Sequence, residues 1–402
     1  MIILVINSGS SSVKYQVIDA KDEISLAKGV VERIGMAGAI LTHKPYDRPE
    51  IRLAGEILDH KMAIEYVMSI LLSKNHGVIQ DKSELDAVGH RVVHGGEAFS
   101  NSVLIDHDVI AEIRRCIDYA PLHNPPNLRG IDAARQILPD TPQVAVFDTA
   151  FHQTMPQYAY LYGLPYVLYK RNGIRRYGFH GTSHRYVSQR AAKMLDKPIE
   201  ELKLITCHLG NGASAAAIKY GKSIDTSMGF TPLEGLLMGT RCGDMDPAII
   251  LQIMNKEEMT QNEATTLLNK HSGLQGISGI SSDMREIEDE YENTPRAKVA
   301  HDVFTYRLKK YIGAYSAALE GVDGVVFTGG IGENSSMVRK HALMGLEFLG
   351  VKLDEEKNKT SSKAERFICT DDSKVRVMVI PTNEELVIAQ DTMGIVKELS
   401  AK

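Results

Sequence analysis

Three short stretches set glycine among hydroxyl or amide side chains just after an apolar run: Asn7 to Ser12 (NSGSSS), Leu209 to Ser214 (LGNGAS) and Gly329 to Asn334 (GGIGEN). A tight turn with a permissive glycine exposes backbone N–H groups, and with hydroxyls and a cation beside it such a turn can hold a phosphate chain. Ser10, Ser12 and Lys14 supply those groups in the first stretch. An ordinary serine-rich turn explains any one stretch alone; its weight falls because three occur in one chain. Two arginines are candidates for further positive charge. Arg91 sits in the otherwise apolar run LDAVGHRVV, a costly place unless it meets either a bound anion or a nearby carboxylate. Arg241, bordered by Gly239 and Gly243, is either solvated or a second anion contact.

Asp148 follows the apolar run Val144 to Phe147, at the carboxyl end of a strand, where α/β sheets place ligands; capping of the next turn is the alternative. His180 and His184 have the spacing of a helical metal pair, but no glutamate follows His180 and Gly181 opens the interval. A loop histidine that donates a hydrogen bond, with Thr182 or Ser183 capping the next helix, is more economical than zinc. Near the end, Thr382 and Glu385 fit a capping box, which leaves Glu384 free to meet a magnesium ion.

The elements that must carry these residues alternate between strand and helix. Ile2 to Ile6 is a β-branched run suited to a strand buried on both faces, and Val13 to Ile18 is its hairpin return. Leu204 to His208 and Ala215 to Ile218 repeat strand, glycine turn and strand about half a chain later. That repeat points to a duplicated domain with a ligand held between the copies. Ala216 to Ser223 would match a P-loop only if position 216 were glycine, and it reads as a hairpin. Helical periodicity runs over Leu128 to Leu138 after the proline-rich Tyr119 to Asn127, through Val187, Ala191 and Leu195, over His301 to Leu319, and through Leu386, Ala389, Met393 and Val396. Asp283 with Glu286 fits a helix cap, as does Ser335 or Ser336 after the third glycine stretch, which makes that strand, loop and helix start an anion or nucleotide site.

At 402 residues the chain exceeds what one hydrophobic core usually fills, so two domains are expected. Hydrophobic residues at 43% and charged residues at 24% are globular values, and a formal charge of -5 argues against nucleic acid or an anionic membrane as the main partner. Cys116, Cys207, Cys242 and Cys369 form no C-x-x-C pair, which suggests reduced thiols without a zinc cage. With no apolar run of membrane length, a cytoplasmic enzyme is expected.

Taken together, NSGSSSVK, GHRVVHGGE, FDTAFH, RRYGFHGTSH, HLGNGAS, GTRCGDMDP, GISSDMREI, FTGGIGENS and PTNEE closely resemble the acetate kinase family, with propionate kinases as near relatives. The resemblance implies an α/β chain of two duplicated domains of the actin, sugar-kinase and Hsp70 type, with ATP in the cleft between them and a homodimer as the assembly. Its expected boundaries are 1–149, 150–383 and a terminal helix over 384–402 that returns to the first domain. By motif it assigns Asn7 and Glu384 to Mg2+, with Mn2+ as the alternative cation, and Lys14 to ATP. It gives the acyl substrate to Arg91, lined by Val93, Leu122, Phe179 and Pro232. His208, Leu209, Gly210, Asn211 and Gly212 would line the phosphates, Asp283, Met284 and Arg285 the ribose and adenine, and Gly330, Ile331, Gly332, Glu333 and Asn334 the rest of the nucleotide pocket. His180 and Arg241 resemble transition-state stabilisers and Asp148 an acid/base position.

The implied reaction takes ATP and a short carboxylate, acetate above all, to ADP and an acyl phosphate. A carboxylate is already ionised at neutral pH, since its proton leaves at a pKa of about 4 to 5, so it needs no general base. Asp148 is therefore expected to orient an arginine or the metal's water shell. The rival class, ATPases of the actin or Hsp70 type, lacks a carboxylate clamp and needs polymer contacts or a peptide-binding domain.

Overall fold

The computed structural model describes residues 1–401. It divides into two compact units, Met1–Ala150 together with the chain from Asn383 onward, and Phe151–Thr382. In the first unit an eight-stranded sheet comprises β1 (Ile2–Ser8), β2 (Ser12–Asp19), β3 (Ile24–Glu32), β4 (Ala39–Pro45), β5 (Ile51–Gly55), β6 (Ala87–Val92), β7 (Val103–Leu104) and β8 (Gln143–Phe147), in the order β5-β4-β3-β2-β1-β6-β8-β7. In the second, six strands, β9 (Lys203–Leu209), β10 (Ala213–Lys219), β11 (Lys222–Thr226), β12 (Gly324–Thr328), β13 (Arg366–Phe367) and β14 (Arg376–Val379), run β11-β10-β9-β12-β14-β13.

The two sheets share a plan. In each, three strands form an antiparallel meander and two more add in parallel beside its first strand: β3-β2-β1 followed by β6 and β8, and β11-β10-β9 followed by β12 and β14. The repeated strand, glycine turn and strand of the sequence therefore marks equivalent hairpins of two like-wound units. Parallel strands are covered on both faces, so they are apolar throughout: Gln143–Phe147 and Gly324–Thr328 are buried at every residue.

In the first unit, the helices His60–Leu71 and Asn124–Ile137 share a core with β1 to β4 through Leu4, Val13, Val31, Ile64, Val67 and Ala134. The last helix, Glu384–Ser400, crosses β6 at Gly89, where a Cβ would stand 2.6 Å from Thr392 Oγ1 and 2.7 Å from Ile388 Cγ2. That approach fixes where the helix begins, and so where Glu384 is presented. In the second unit, Val187 and Ala191 of the helix Gly181–Leu195 meet Leu204, Ala216, Val326 and Met378 on the sheet.

Several local readings change for identifiable reasons. The helix expected from Leu128 begins at Asn124, and the one expected from His301 begins at Pro295. In both, proline occupies the first turn, where its missing N–H costs nothing. Gly329–Asn334 is a short helix and not a loop, because the Glu333 carboxylate reaches back to accept the Gly329 N–H at 3.0 Å. The cap before the last helix is Asn383, whose side chain accepts the Leu386 N–H at 3.1 Å, and not Thr382, whose buried hydroxyl has no partner. Thr182 and Ser183 do not cap either. The helix starts earlier, at Gly181, directly after His180 in a left-handed conformation (φ 55°, ψ 24°), so both residues fall inside its first turn.

Gly130 lets the helix Asn124–Ile137 touch the end of β1: a Cβ there would lie 2.1 Å from Ser8 Oγ and 2.8 Å from Ser8 Cβ. Glycine to alanine in a helix ordinarily gains about 1 kcal/mol. Here the clash reverses the sign, and Gly130→Ala is expected to destabilise by about 1–3 kcal/mol in denaturant melts. Gly313→Ala, inside the helix Pro295–Ala318 with nothing within 4 Å of the added Cβ, is the matched substitution and should stabilise by up to about 1 kcal/mol.

Candidate active site

In the first unit the site is built on the carboxyl ends of β1, β6 and β8. Arg91 pairs in register with Val146, and Asp148 follows directly on β8, its N–H bonded to the Val92 carbonyl at 3.0 Å. The two side chains close a bidentate ion pair: Arg91 Nε donates to Asp148 Oδ1 at 3.0 Å and Nη2 to Oδ2 at 2.7 Å. Asp148 is buried, so both its oxygens are committed to Arg91 and it does not cap the turn that follows. Burial alone would pull the Arg91 guanidinium down, but the carboxylates of Asp148, Glu384 and Glu385 outweigh it and hold the group above its ordinary value. The Nη1 edge of the fork is not used by Asp148 and is open to a second planar anion.

Two asparagines that the sequence reading missed hold this corner. Asn127 Oδ1 accepts the Val93 N–H at 3.0 Å while its Nδ2 donates to the Ser8 carbonyl at 2.9 Å, tying the β6 end to the glycine turn. Asn124 does the same for His94, accepting its N–H at 3.1 Å and donating to its carbonyl at 3.0 Å. The signal was present as Asn-Pro-Pro-Asn, a helix start with two polar residues flanking prolines. The turn itself is closed by Gly9 N–H to Ser12 O at 2.8 Å, and His60 Nε2 donates to the Gly9 carbonyl at 2.7 Å. Asn7 and Lys14 are cross-strand partners, and with Glu385 they line one cavity of about 290 Å³. Val93 is buried beside Arg91, whereas Leu122 is exposed on the loop before the helix.

Glu384 is the first residue of the last helix, and its Oε1 is closed off from water without a hydrogen-bond partner. Burial pushes its carboxyl up to about 7; Arg91 and Lys14 oppose the shift, and Asp148 and Glu385 add to it. A buried carboxylate oxygen that has no partner among the described residues is a hard donor of the kind magnesium takes, as is the amide oxygen of an asparagine such as Asn7. The residues fit a divalent cation.

In the second unit, Gly212, His180 and Arg241 come together. A Cβ on Gly212 would stand 3.5 Å from both Arg241 Nη1 and His180 Cε1. His180 Nδ1 is hydrogen-bonded to Ser214 Oγ at 2.9 Å, and its ring stacks on His208 at 4.3 Å between centroids. Ser214 also meets His184 Nε2 at 2.8 Å, and His184 Nδ1 meets Thr206 Oγ1 at 2.7 Å, which uses both nitrogens that a His180–His184 metal pair would need. Burial, then the neighbouring His152 and His208, hold His184 well below the ordinary histidine range, so it stays neutral. Ser183, which was read as a helix cap, is bonded to His208 Nδ1 at 2.8 Å. These hydroxyls were not legible as site residues, since each depends on a partner distant in sequence.

Arg241 differs from Arg91. Its Nη1 donates to the Pro232 carbonyl at 3.1 Å, and burial pulls its guanidinium below the ordinary value with no carboxylate to offset it. A desolvated cation without an anion is a seat for one. Phe179, also in this unit, accepts at its carbonyl from His152 Nε2 at 3.0 Å.

Around the hairpin turn the remaining loops converge. Gly239 N–H donates to the Asn211 carbonyl at 3.0 Å, and a Cβ on Gly239 would lie 2.0 Å from Asn211 Oδ1 and 3.0 Å from the Ser282 carbonyl, so no side chain fits between these segments. Asp283 caps the helix Met284–Asp289 and pairs with Arg285, while Met284 is buried. Gly329, at φ 75°, lies against Leu209, whose carbonyl would be 2.7 Å from a Cβ. Residues 208–212, 283–285 and 329–334 thus form one cluster in this unit.

Protonation and metal compete for Glu384. With its carboxyl raised in the folded state, the native protein binds the proton more tightly than the unfolded chain, so metal-free stability should fall as pH rises from about 4.5 to about 7. Glu384→Gln should flatten that slope in thermal melts at pH 5 to 8, and Mg2+ should raise the melting temperature of the parent above pH 7 but not of the variant.

The model of the acetokinase family matches residues 2–390. An acetate kinase of Thermoanaerobacterium thermosaccharolyticum is 61% identical over 401 residues, 99% of this chain and 100% of the relative. One from Clostridium botulinum is 59% identical over 403 residues, 100% of each chain. The crystal structure of Porphyromonas gingivalis acetate kinase matches with a TM-score of 0.95 at 48% identity over 98% of this chain and 99% of that one. A propionate kinase from Francisella tularensis matches at 0.91 and 44% identity, over the same shares. On sequence and fold alike, over nearly its whole length, the chain belongs to the acetokinase family.

Proposed function

We propose that the protein is an ATP:acetate phosphotransferase, reversibly moving the γ-phosphoryl group of ATP to acetate to give acetyl phosphate and ADP. The observation that carries this reading is the contrast between the two arginines. Arg91 is gripped on one edge by Asp148, with its other edge left for a small carboxylate, whereas Arg241 is half-buried beside Gly212 and His180 with no ion-pair partner among the described residues.

In this reading a carboxylate oxygen of acetate, oriented by Arg91, forms a bond to the γ-phosphorus while the bond from that phosphorus to the β-bridging oxygen breaks, and the electron pair leaves with ADP. No proton moves, because the nucleophile is already ionised. Such a transfer asks for alignment and charge neutralisation more than covalent chemistry. Arg241 and the His180 ring, held by Ser214, supply charge and hydrogen bonding to the equatorial oxygens, and the turn at 209–212 cradles the phosphates. Asn7 and Glu384 would hold Mg2+, which would supply positive charge at the phosphate oxygens. Asp148 positions Arg91 and takes no proton. The family resemblance gives the acyl group to Val93, Leu122, Phe179 and Pro232. Propionate is the nearest rival substrate, and one methylene decides only ~1 to 3 kcal/mol. The family resemblance supports a cytoplasmic homodimer, and the exposed Tyr158, Leu164, Tyr166 and Val167 of the second unit offer apolar surface for the partner copy.

Trapping with hydroxylamine in the presence of acetate, ATP and Mg2+ should yield acetohydroxamate, faster with acetate than with propionate or butyrate. ADP release without hydroxamate would return the chain to the ATPase class. In that assay Arg241→Gln should lower kcat by ~10² to 10³. Asp148→Asn should lower kcat by ~10² through a displaced Arg91 while the acidic limb of the pH profile stays in place.

A further inference from the structure

The second unit holds a cluster of metal-ligating side chains that the proposed reaction does not use. His301 and Asp302 lie on the helix Pro295–Ala318 and His341 in the last turn of the helix Ser336–Leu343. One ligand atom from each of the three lies within 4.8 Å of the others. His301 is fully buried, yet neither of its ring nitrogens has a hydrogen-bond partner. The nearest carboxylate oxygens, Asp302 Oδ1 at 3.7 Å from Nδ1 and Glu288 Oε1 at 3.9 Å from Nε2, are too far for one. A buried imidazole left so carries the desolvation cost of its unpaired nitrogens, which an ordinary packing histidine avoids by finding a carbonyl or hydroxyl. The Tyr291 and His341 rings pack nearly perpendicular to it, at 5.1 and 5.0 Å between centroids.

We propose that His301, His341 and Asp302 form a site for a divalent transition metal of the zinc class. Two imidazoles and a carboxylate suit such a metal better than magnesium, which prefers oxygen alone. With metal–nitrogen bonds of about 2.0–2.1 Å, tetrahedral ligands sit roughly 3.4 Å apart, so the cluster closes from at most 4.8 Å by up to about 1.4 Å. Asp302 is exposed, with its Oδ1 accepting the Tyr291 hydroxyl at 3.0 Å, and His341 is half-buried; metal binding turns both toward His301 and exchanges that hydrogen bond for a metal–oxygen bond, with water as the fourth ligand. Lys298, Lys309 and Lys340 face His341 and work against a dication; Lys340 is paired with Glu355 at 2.8 Å.

The site has a route to the nucleotide cluster, a step that rests on the function proposed above. Glu288 belongs to the helix headed by Asp283 to Arg285, and its carboxylate accepts the hydroxyl of Ser335, the residue after Asn334. A dication bound to His301 draws Glu288 away from Ser335 and loosens the link between the two segments assigned to the nucleoside.

The test uses the full chain in saturating Mg2+, which holds the oxygen-ligand site, with Co2+ as a spectroscopic probe. One equivalent of Co2+ should produce visible ligand-field bands that Zn2+ removes. His341→Gln, checked for folding by its melt, should bind more weakly by at least the ~10–100-fold that loss of a mere outer-shell partner costs, and the exposed Asp302→Asn should also weaken binding. Absence of bands in the parent, or equal titration of His341→Gln, overturns the site whatever the hydroxamate assay reports. Zn2+ should also weaken binding of adenosine, which has no phosphates to chelate it, about fivefold in the parent and not in His341→Gln; unchanged adenosine affinity beside intact Co2+ bands overturns the coupling.

Discussion

The bidentate pair between Arg91 and Asp148 is the constraint on which the first unit's chemistry rests. A guanidinium and a carboxylate at the end of a parallel sheet each carry a large desolvation cost, and only paired geometry with two short hydrogen bonds offsets it. The backbone enforces the pairing. β6 and β8 run in register, Asp148 is hydrogen-bonded back to Val92, and the neighbouring strand end is pinned by Asn124 and Asn127. An arginine so held keeps one edge in a set orientation for a planar anion, which a lysine on a flexible stem would not do.

The second unit solves the opposite problem. Arg241 has a carbonyl and no carboxylate, and the histidines beside it are held by hydroxyls: His180 and His184 by Ser214, His184 by Thr206, His208 by Ser183. Neutral partners fix ring orientation without cancelling positive charge. The arrangement is preorganised for an anion in the sense that matters for phosphoryl transfer, where little is gained from acid or base groups and much from fixed dipoles and cations.

Duplication explains why the two halves can specialise. The same winding places a glycine-turned hairpin at the same position of each sheet, one carrying Asn7 and Lys14, the other His208 to Gly212. Around the second hairpin, glycines at 239 and 329 allow backbone segments to approach closer than any side chain permits. Relatives named as acetate kinases and as a propionate kinase share this whole-chain fold, so the scaffold by itself does not tell the two apart.

Much of this was legible in the residues alone. The apolar runs of parallel strands, the hairpin glycines and the unusual placement of Arg91, Asp148 and Glu384 are local facts, because burial on both faces and tight turns restrict which residues a position accepts. What only the tertiary structure decided was partnership. Whether Arg91 met an anion or a carboxylate depended on the register of β6 against β8, and the helix caps shifted by a residue or more because Asn383 and His180 won positions that Thr382 and Thr182 could also have filled by composition. Asn124, Asn127, Ser183 and Ser214 gain their roles from contacts at least 25 residues away in the chain. A hydrogen bond is directional and short, so its partner is set by how the sheets and helices pack, and no pattern along the chain encodes it.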